Sequence, residues 1–136
     1  MPTGQLPHDA RPRVAIVDAD RRIQKSLAEV LRVAGDVEIV GWAGDVGHAL
    51  EMIAETRPTV VVLDPRLPDI AAGAAFMTSL NRRWPAIYVV MTGWADAGEQ
   101  PALAARADAF VSKSAPPEEF VAAVVRACDS AELTSR

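Results

Sequence analysis

The sequence predicts an α/β domain: a five-stranded parallel sheet, doubly wound as (βα)5, with helices on both faces. Three observations carry that expectation. Five short apolar runs alternate with helix-like stretches along the chain. The central runs, Val60–Leu63 and Ala86–Met91, are apolar at consecutive positions, as strands covered on both faces require. Polar and charged residues able to do chemistry stand where those runs end, at Asp18, Asp64, Thr92 and Lys113.

The elements follow in order. Residues 1–12 carry Pro2, Pro7 and Pro12 among polar neighbours and read as a flexible tail. Arg13–Asp18 is a short apolar run ending in a carboxylate, a buried strand. Ile23, Leu27, Val30 and Leu31 then fall at i, i+4, i+7 and i+8, the stripe of an amphipathic helix that Gly35 stops. Val37–Trp42 is the second strand, and Val46, Ala49, Leu50 and Ile53 mark a second helix that must end before Pro58. Thr59–Asp64 is the strongest strand of the chain. A loop with Pro65 and Pro68 leads to a third helix over 71–83, closed by Trp84 and Pro85. Ala86–Thr92 is a fourth strand. The stretch 95–107 is rich in alanine but interrupted by Gly98 and Pro101, so a short or irregular helix is expected there. Asp108–Lys113 is the fifth strand. Pro116, Pro117, Glu118 and Glu119 open the last helix, with proline near the first turn and acids facing the dipole. One domain therefore spans 13–129, with 130–136 a C-terminal tail or the start of a linker.

Composition narrows the function. A chain of 136 residues, half of them apolar, supplies one sizeable core. Its apolar runs are too short to span a bilayer, and no secretion signal opens the sequence. Cys128 is the only cysteine, which suits a packed thiol in a reducing cytoplasm. The net charge of −4 argues against direct nucleic-acid binding by this chain. No G-x-G-x-x-G follows the first strand, so a dinucleotide site is not expected. His8 and His48 have no Cys or His partners at metal spacing and read as solvated. Arginine supplies nearly all the positive charge, which makes the lysine at a strand end, Lys113, conspicuous.

In an open parallel sheet, ligands gather beyond the carboxyl ends of the strands. Asp18 with Asp20, Asp64, Thr92 and Lys113 fall there. A carboxylate in that place can act as a nucleophile toward phosphorus and become an aspartyl phosphate. Phosphoryl transfer needs mainly positioning and charge neutralisation. Mg²⁺ serves both, held by one or two carboxylates with waters and substrate oxygens. Lys113 can neutralise one phosphoryl oxygen and Thr92 can donate to another. The plainer reading is that such charges only pair with one another; that reading wins for any one of these residues, and loses for all four together.

These residues carry a family resemblance. Val60-Val61-Val62-Leu63-Asp64-Pro65-Arg66-Leu67-Pro68 resembles the phosphoacceptor segment of response-regulator receiver domains. Val90-Met91-Thr92-Gly93 looks like their switch-threonine strand, with a small residue that leaves room for the phosphoryl group. Ala109-Phe110-Val111-Ser112-Lys113 is similar to the segment with an aromatic three residues before the lysine. Lys113-Ser114-Ala115-Pro116-Pro117-Glu118-Glu119 most resembles the NarL/LuxR-type branch. The likeness runs from about Arg13 to Cys128, and it implies a flavodoxin-like strand order 2-1-3-4-5. By the same resemblance Asp64 is the phosphoacceptor, taking its phosphoryl group from a histidine kinase or phosphotransfer protein. Asp18, Asp64 and the backbone carbonyl of Arg66 would surround Mg²⁺. Lys113 would hold the phosphoryl group, while Thr92 and Phe110 would form a coupled switch. The fourth helical stretch, fifth strand and last helix would report the change to a downstream effector protein. The apolar face Phe120, Val121, Val124, Val125 and Cys128 is broad enough to serve both the core and a homodimer contact.

The sequence also departs from the pattern. The family has two adjacent acids after the first strand; here the second position is Ala19, so weak Mg²⁺ binding is expected. Asp20 either caps the first helix or compensates at the metal. Ala72 stands where glycine is usual and Gly73 follows, which implies a slightly altered loop. Arg66 and Trp94 lie two residues beyond Asp64 and Thr92, where they can overhang the pocket and tune it. A bulky Trp94 would hinder the attacking water and slow autodephosphorylation, unless it serves a protein interface instead. Ala19 keeps open a pseudo-receiver that binds partners without phosphorylation. Leu133-Thr134-Ser135-Arg136 resembles the opening of a LuxR-type DNA-binding domain, so the chain is either a stand-alone receiver or the receiver part of such a transcription factor. Asp18-Ala19-Asp20 also resembles the Asp-x-Asp of haloacid-dehalogenase-type phosphatases. Arg21 and Arg22 follow where small or apolar residues are expected, and that reading leaves the Asp64 segment unexplained. No enzymatic activity is expected beyond self-phosphorylation and autodephosphorylation.

Overall fold

Consecutive apolar residues in a strand point alternately to its two faces, so Val60, Val61, Val62 and Leu63 need cover on both sides. The computed structural model provides it; residues 11–34, 37–94, 103 and 106–134 are described. Five strands, β1 (Arg13–Val17), β2 (Glu38–Ala43), β3 (Val60–Leu63), β4 (Tyr88–Gly93) and β5 (Ala109–Ser112), form one parallel sheet in the order β2-β1-β3-β4-β5. Four helices accompany them among the described residues: α1 (Arg21–Ala34), α2 (Val46–Thr56), α3 (Ile70–Arg83) and α4 (Pro117–Thr134). The tail over 1–10, Gly35 and most of the irregular helix expected over 95–107 lie outside the described residues.

The sheet divides the core in two. Ala15, Val17, Val61, Leu63, Val89 and Met91 pack against Ala49 and Ile53 of α2 and Phe76, Met77 and Leu80 of α3. Val14, Ile16, Val60, Val62 and Val90 face the opposite way, against Ala28 and Leu31 of α1 and Phe120, Val124 and Cys128 of α4. Each fully buried aliphatic side chain stabilises the fold by roughly 1.5–3 kcal/mol. Cys128 is one of these packed side chains. On α1 the fully buried line is Gln24, Ala28 and Leu31, while Ile23, Leu27 and Val30 are half-buried.

Local chemistry sets the helix ends. Asp45 caps α2 by accepting from the His48 backbone N–H at 2.8 Å, and Asp69 caps α3 by accepting from Ala72 N–H at 2.9 Å. The imidazole of His48 returns to the same Asp45 carboxylate at 2.6 Å, and that hydrogen bond raises the His48 pKa above its ordinary value. Arg57 leaves α2 in the left-handed region at φ 47°, its N–H bonded to the Ile53 carbonyl, directly before Pro58. Trp84 closes α3 before Pro85, while α4 continues beyond 129 to Thr134. No helix among the described residues is long and apolar enough to cross a membrane.

Strand register decides what meets at the carboxyl edge. Val17 is level with Leu63, and Leu63 with Met91, so Asp18, Asp64 and Thr92 follow at the same height on three adjacent strands. Gly93 pairs with Ser112, which brings Lys113 alongside, its N–H bonded to the Gly93 carbonyl at 2.8 Å.

The loop from Pro65 to Asp69 lies tight against α3. A Cβ on Gly73 would come 1.7 Å from the Pro65 carbonyl oxygen, an overlap only backbone movement can relieve. Glycine one place later than usual therefore still does a packing task, and Ala72 is accommodated before it. Gly73→Ala should destabilise the protein by about 3 kcal/mol. Urea unfolding measures it, and a wild-type midpoint would mean that the loop lifts away freely.

Candidate functional site

Four side chains meet where the strands end. Asp18 and Thr92 are each 2% exposed and Asp64 is 7% exposed. The ammonium of Lys113 stands between the two carboxylates, 2.6 Å from Asp18 Oδ2 and 2.5 Å from Asp64 Oδ2. The remaining carboxylate oxygens take backbone N–H groups: Asp18 Oδ1 accepts from Asp20 at 2.8 Å, and Asp64 Oδ1 from Arg66 at 3.0 Å. Thr92 Oγ1 is buried with no hydrogen-bond partner among the described residues. A buried hydroxyl in that condition is costly unless something else occupies its lone pairs or takes its proton.

Around this centre the expected residues divide. Trp94 is 65% exposed, with its ring centroid 5.6 Å from Lys113 Nζ, so the indole does overhang the ammonium. Phe110 is half-buried on β5 and packs against the core on the α2–α3 side. Arg66 is exposed and contributes its backbone N–H to Asp64. Asp20 belongs elsewhere: its Oδ1 accepts from Arg22 N–H at 2.9 Å and its carbonyl from Gln24 N–H at 3.0 Å, which makes it the N-cap of α1. Ala19 is exposed, with no carboxylate to offer. Gln24 is a site neighbour that the apolar-stripe reading passes over. Its amide is buried, and Nε2 donates to the Asp18 carbonyl at 2.6 Å.

Electrostatics follow from burial and from the shared cation. Burial raises the Asp18 pKa above the ordinary carboxylate value; the Lys113 and Asp20 hydrogen bonds oppose that, and the nearby Asp64 charge adds to it. Burial pushes the Lys113 ammonium down, but its bonds and charge attraction to Asp18 and Asp64 outweigh this and hold its pKa above the ordinary lysine value. Two carboxylates against one ammonium leave a net negative pocket when all three are charged. The two carboxylates are oxygen donors of the kind a hard divalent cation takes. Among the described residues there is no group of three or more His, Cys, Asp or Glu that could hold a metal ion.

Removing the ammonium alone would strand two buried carboxylates. Lys113→Met should therefore destabilise the fold by about 3 kcal/mol at pH 7. Adding Asp64→Asn should recover part of that loss in urea unfolding, a non-additivity that contact between the two side chains requires. Strictly additive changes would contradict it.

Comparison with known proteins agrees with this geometry. The response regulator receiver domain family matches residues 14–125. The chain is 33% identical over 141 aligned residues to protein-glutamate methylesterase/protein-glutamine glutaminase 5 of Anaeromyxobacter dehalogenans, covering 96% of this chain and 39% of that protein. It is 31% identical over 114 residues to the DNA-binding transcriptional activator DevR/DosR of Mycobacterium tuberculosis, covering 82% of this chain and 52% of that one. The chain thus spans roughly half or less of these relatives' lengths. In fold it is similar to a CheY-like response regulator receiver domain protein from Methanospirillum hungatei, with TM-score 0.79, 24% identity and coverage of 91% and 98% of the two chains. The chain belongs to the response-regulator receiver family.

Proposed function

We propose that Asp64 accepts the phosphoryl group in this receiver, and that Thr92, Lys113 and Phe110 convert its arrival into a change of surface. The observation that carries the reading is the juxtaposition of a buried, ammonium-bound carboxylate with a buried hydroxyl that has no partner among the described residues. An Asp64 carboxylate oxygen attacks phosphorus of a phosphohistidine. The P–N bond breaks, its electron pair stays on the imidazole nitrogen, and that nitrogen takes up a proton. Bound Mg²⁺ would neutralise phosphoryl oxygens during the transfer. Lys113, already on Asp64, is placed to keep one phosphoryl oxygen, and Thr92 gains an acceptor for its hydroxyl. Phe110 pairs with Met91, the residue before Thr92, in the β4–β5 register, and the proposal couples the hydroxyl to the ring through that pair of strands.

Histidine kinases or phosphotransfer proteins are the proposed donors, in the cytoplasm. The output is proposed to pass from the β5–α4 side to an effector, in the same polypeptide or another. The relatives named above include a methylesterase and a DNA-binding activator, which gives the two kinds of output to test. Val125 on α4 is partly exposed beside the buried Phe120, Val124 and Cys128, so a homodimer through that helix belongs to the same proposal. The Asp18/Asp20 phosphatase reading loses its second acid, because the Asp20 carboxylate caps α1.

Acetyl phosphate with Mg²⁺ should add one phosphate mass to the intact chain, and neither Asp64→Asn nor the metal-free protein should gain it. A folded wild-type protein that gains no mass would favour the phosphorylation-independent partner-binding module for which Ala19 speaks. Trp94→Ala should lose its phosphoryl group several-fold faster than the wild type, because the indole shields the Lys113 side of the pocket; an unchanged hydrolysis rate removes that role.

A further inference from the structure

On α1 the buried line is Gln24, Ala28 and Leu31, spaced i, i+4 and i+7. A primary amide in such a stripe gives up its hydration, which is unfavourable unless a specific bond replaces it. The Gln24 amide makes that bond to the backbone carbonyl of Asp18, at 2.6 Å, and both partners are buried. The contact neither extends nor caps the helix, since Asp20 already caps it.

The bond completes a set around Asp18. Its N–H donates to the Ala43 carbonyl at 3.0 Å. Its carbonyl accepts from Gln24, its Oδ1 from Asp20 N–H at 2.8 Å, and its Oδ2 lies 2.6 Å from Lys113 Nζ. Backbone groups or the site's own cation supply three of the four contacts. Gln24 supplies the fourth from a side chain outside the site.

We propose that Gln24 is a positioning residue of the phosphoryl-acceptor site, fixing the Asp18 peptide so that its carboxylate meets the cation in one orientation. With Ala19 next in sequence, Asp18 is the single acid pointing into the site from the end of β1. No neighbouring acid can take over the position if Asp18 turns away. The inference rests on reading this site as an Mg²⁺-dependent phosphoacceptor.

The test separates positioning from mere stability. Gln24→Met keeps the length of the side chain and removes the donor; Gln24→Glu is the near-isosteric second variant should the first fail to fold; Gln24→Arg restores N–H donors. Mg²⁺ is titrated against the ¹⁵N amide shifts of Asp64 and Thr92, and separately against the rate of acetyl phosphate labelling. In the donor-less variants the Mg²⁺ midpoint should rise about tenfold, as loss of a partner orienting a ligand typically does. Labelling at saturating Mg²⁺ should stay near wild type, and Gln24→Arg should move the midpoint back. An unchanged midpoint in a folded donor-less variant would overturn the inference while leaving the phosphoacceptor reading intact. A wild-type chain that neither binds Mg²⁺ nor becomes labelled would remove that reading and the inference together.

Discussion

Lys113 stands between two buried carboxylates, and the carboxyl edge of the sheet takes its form from that three-way contact. Two carboxylates on neighbouring strands repel when both are ionised, and burial makes Asp18 harder to charge. A single ammonium shared between them resolves both problems. The register carries β5 two residues past the ends of β1 and β3, and from there the lysine side chain reaches both acids. Sheet order, strand length and site charge are therefore one constraint seen at three scales.

The same contact leaves the pocket unbalanced in a directed way. The ammonium offsets one carboxylate's worth of charge, donates to Asp64 Oδ2 and lies in ion-pair contact with Asp18 Oδ2, while backbone N–H groups hold the other oxygens. Among the described residues Thr92 Oγ1, one strand away, has no hydrogen-bond partner, and Asp18 Oδ2 has only its ion-pair contact with Lys113. The phosphoacceptor proposal rests on that pairing of a buried acidic pair with a buried hydroxyl.

Much of this was legible in the sequence, for physical reasons particular to each residue. Asp64, Thr92 and Lys113 follow strands that are apolar on both faces, and a polar residue at such a boundary has few places to be except the sheet edge. Asp20 was ambiguous because a cap and a metal ligand both ask for a carboxylate; only the short bond to Arg22 N–H decides between them. Gln24 was missed because a polar residue inside a hydrophobic stripe reads as a gap in it. Its spacing with Ala28 and Leu31 was the available signal, and it needed the Asp18 carbonyl at hand to be interpreted. The one-residue displacement to Gly73 was visible, but its importance depends on the Pro65 carbonyl, which no local pattern encodes.

Each tryptophan of this protein lies beside a cation: Trp42 beside Arg32 at 5.9 Å, Trp84 beside Arg83 at 4.4 Å, and Trp94 beside Lys113 at 5.6 Å. Two of these pairs lie away from the carboxylates, and the third cation is the hub of the site. Indole emission is sensitive to a nearby ammonium, so any event that draws Lys113 toward a new anion also alters the optical environment of Trp94. The protein thus carries its own spectroscopic probe, with the other two indoles serving as an internal baseline.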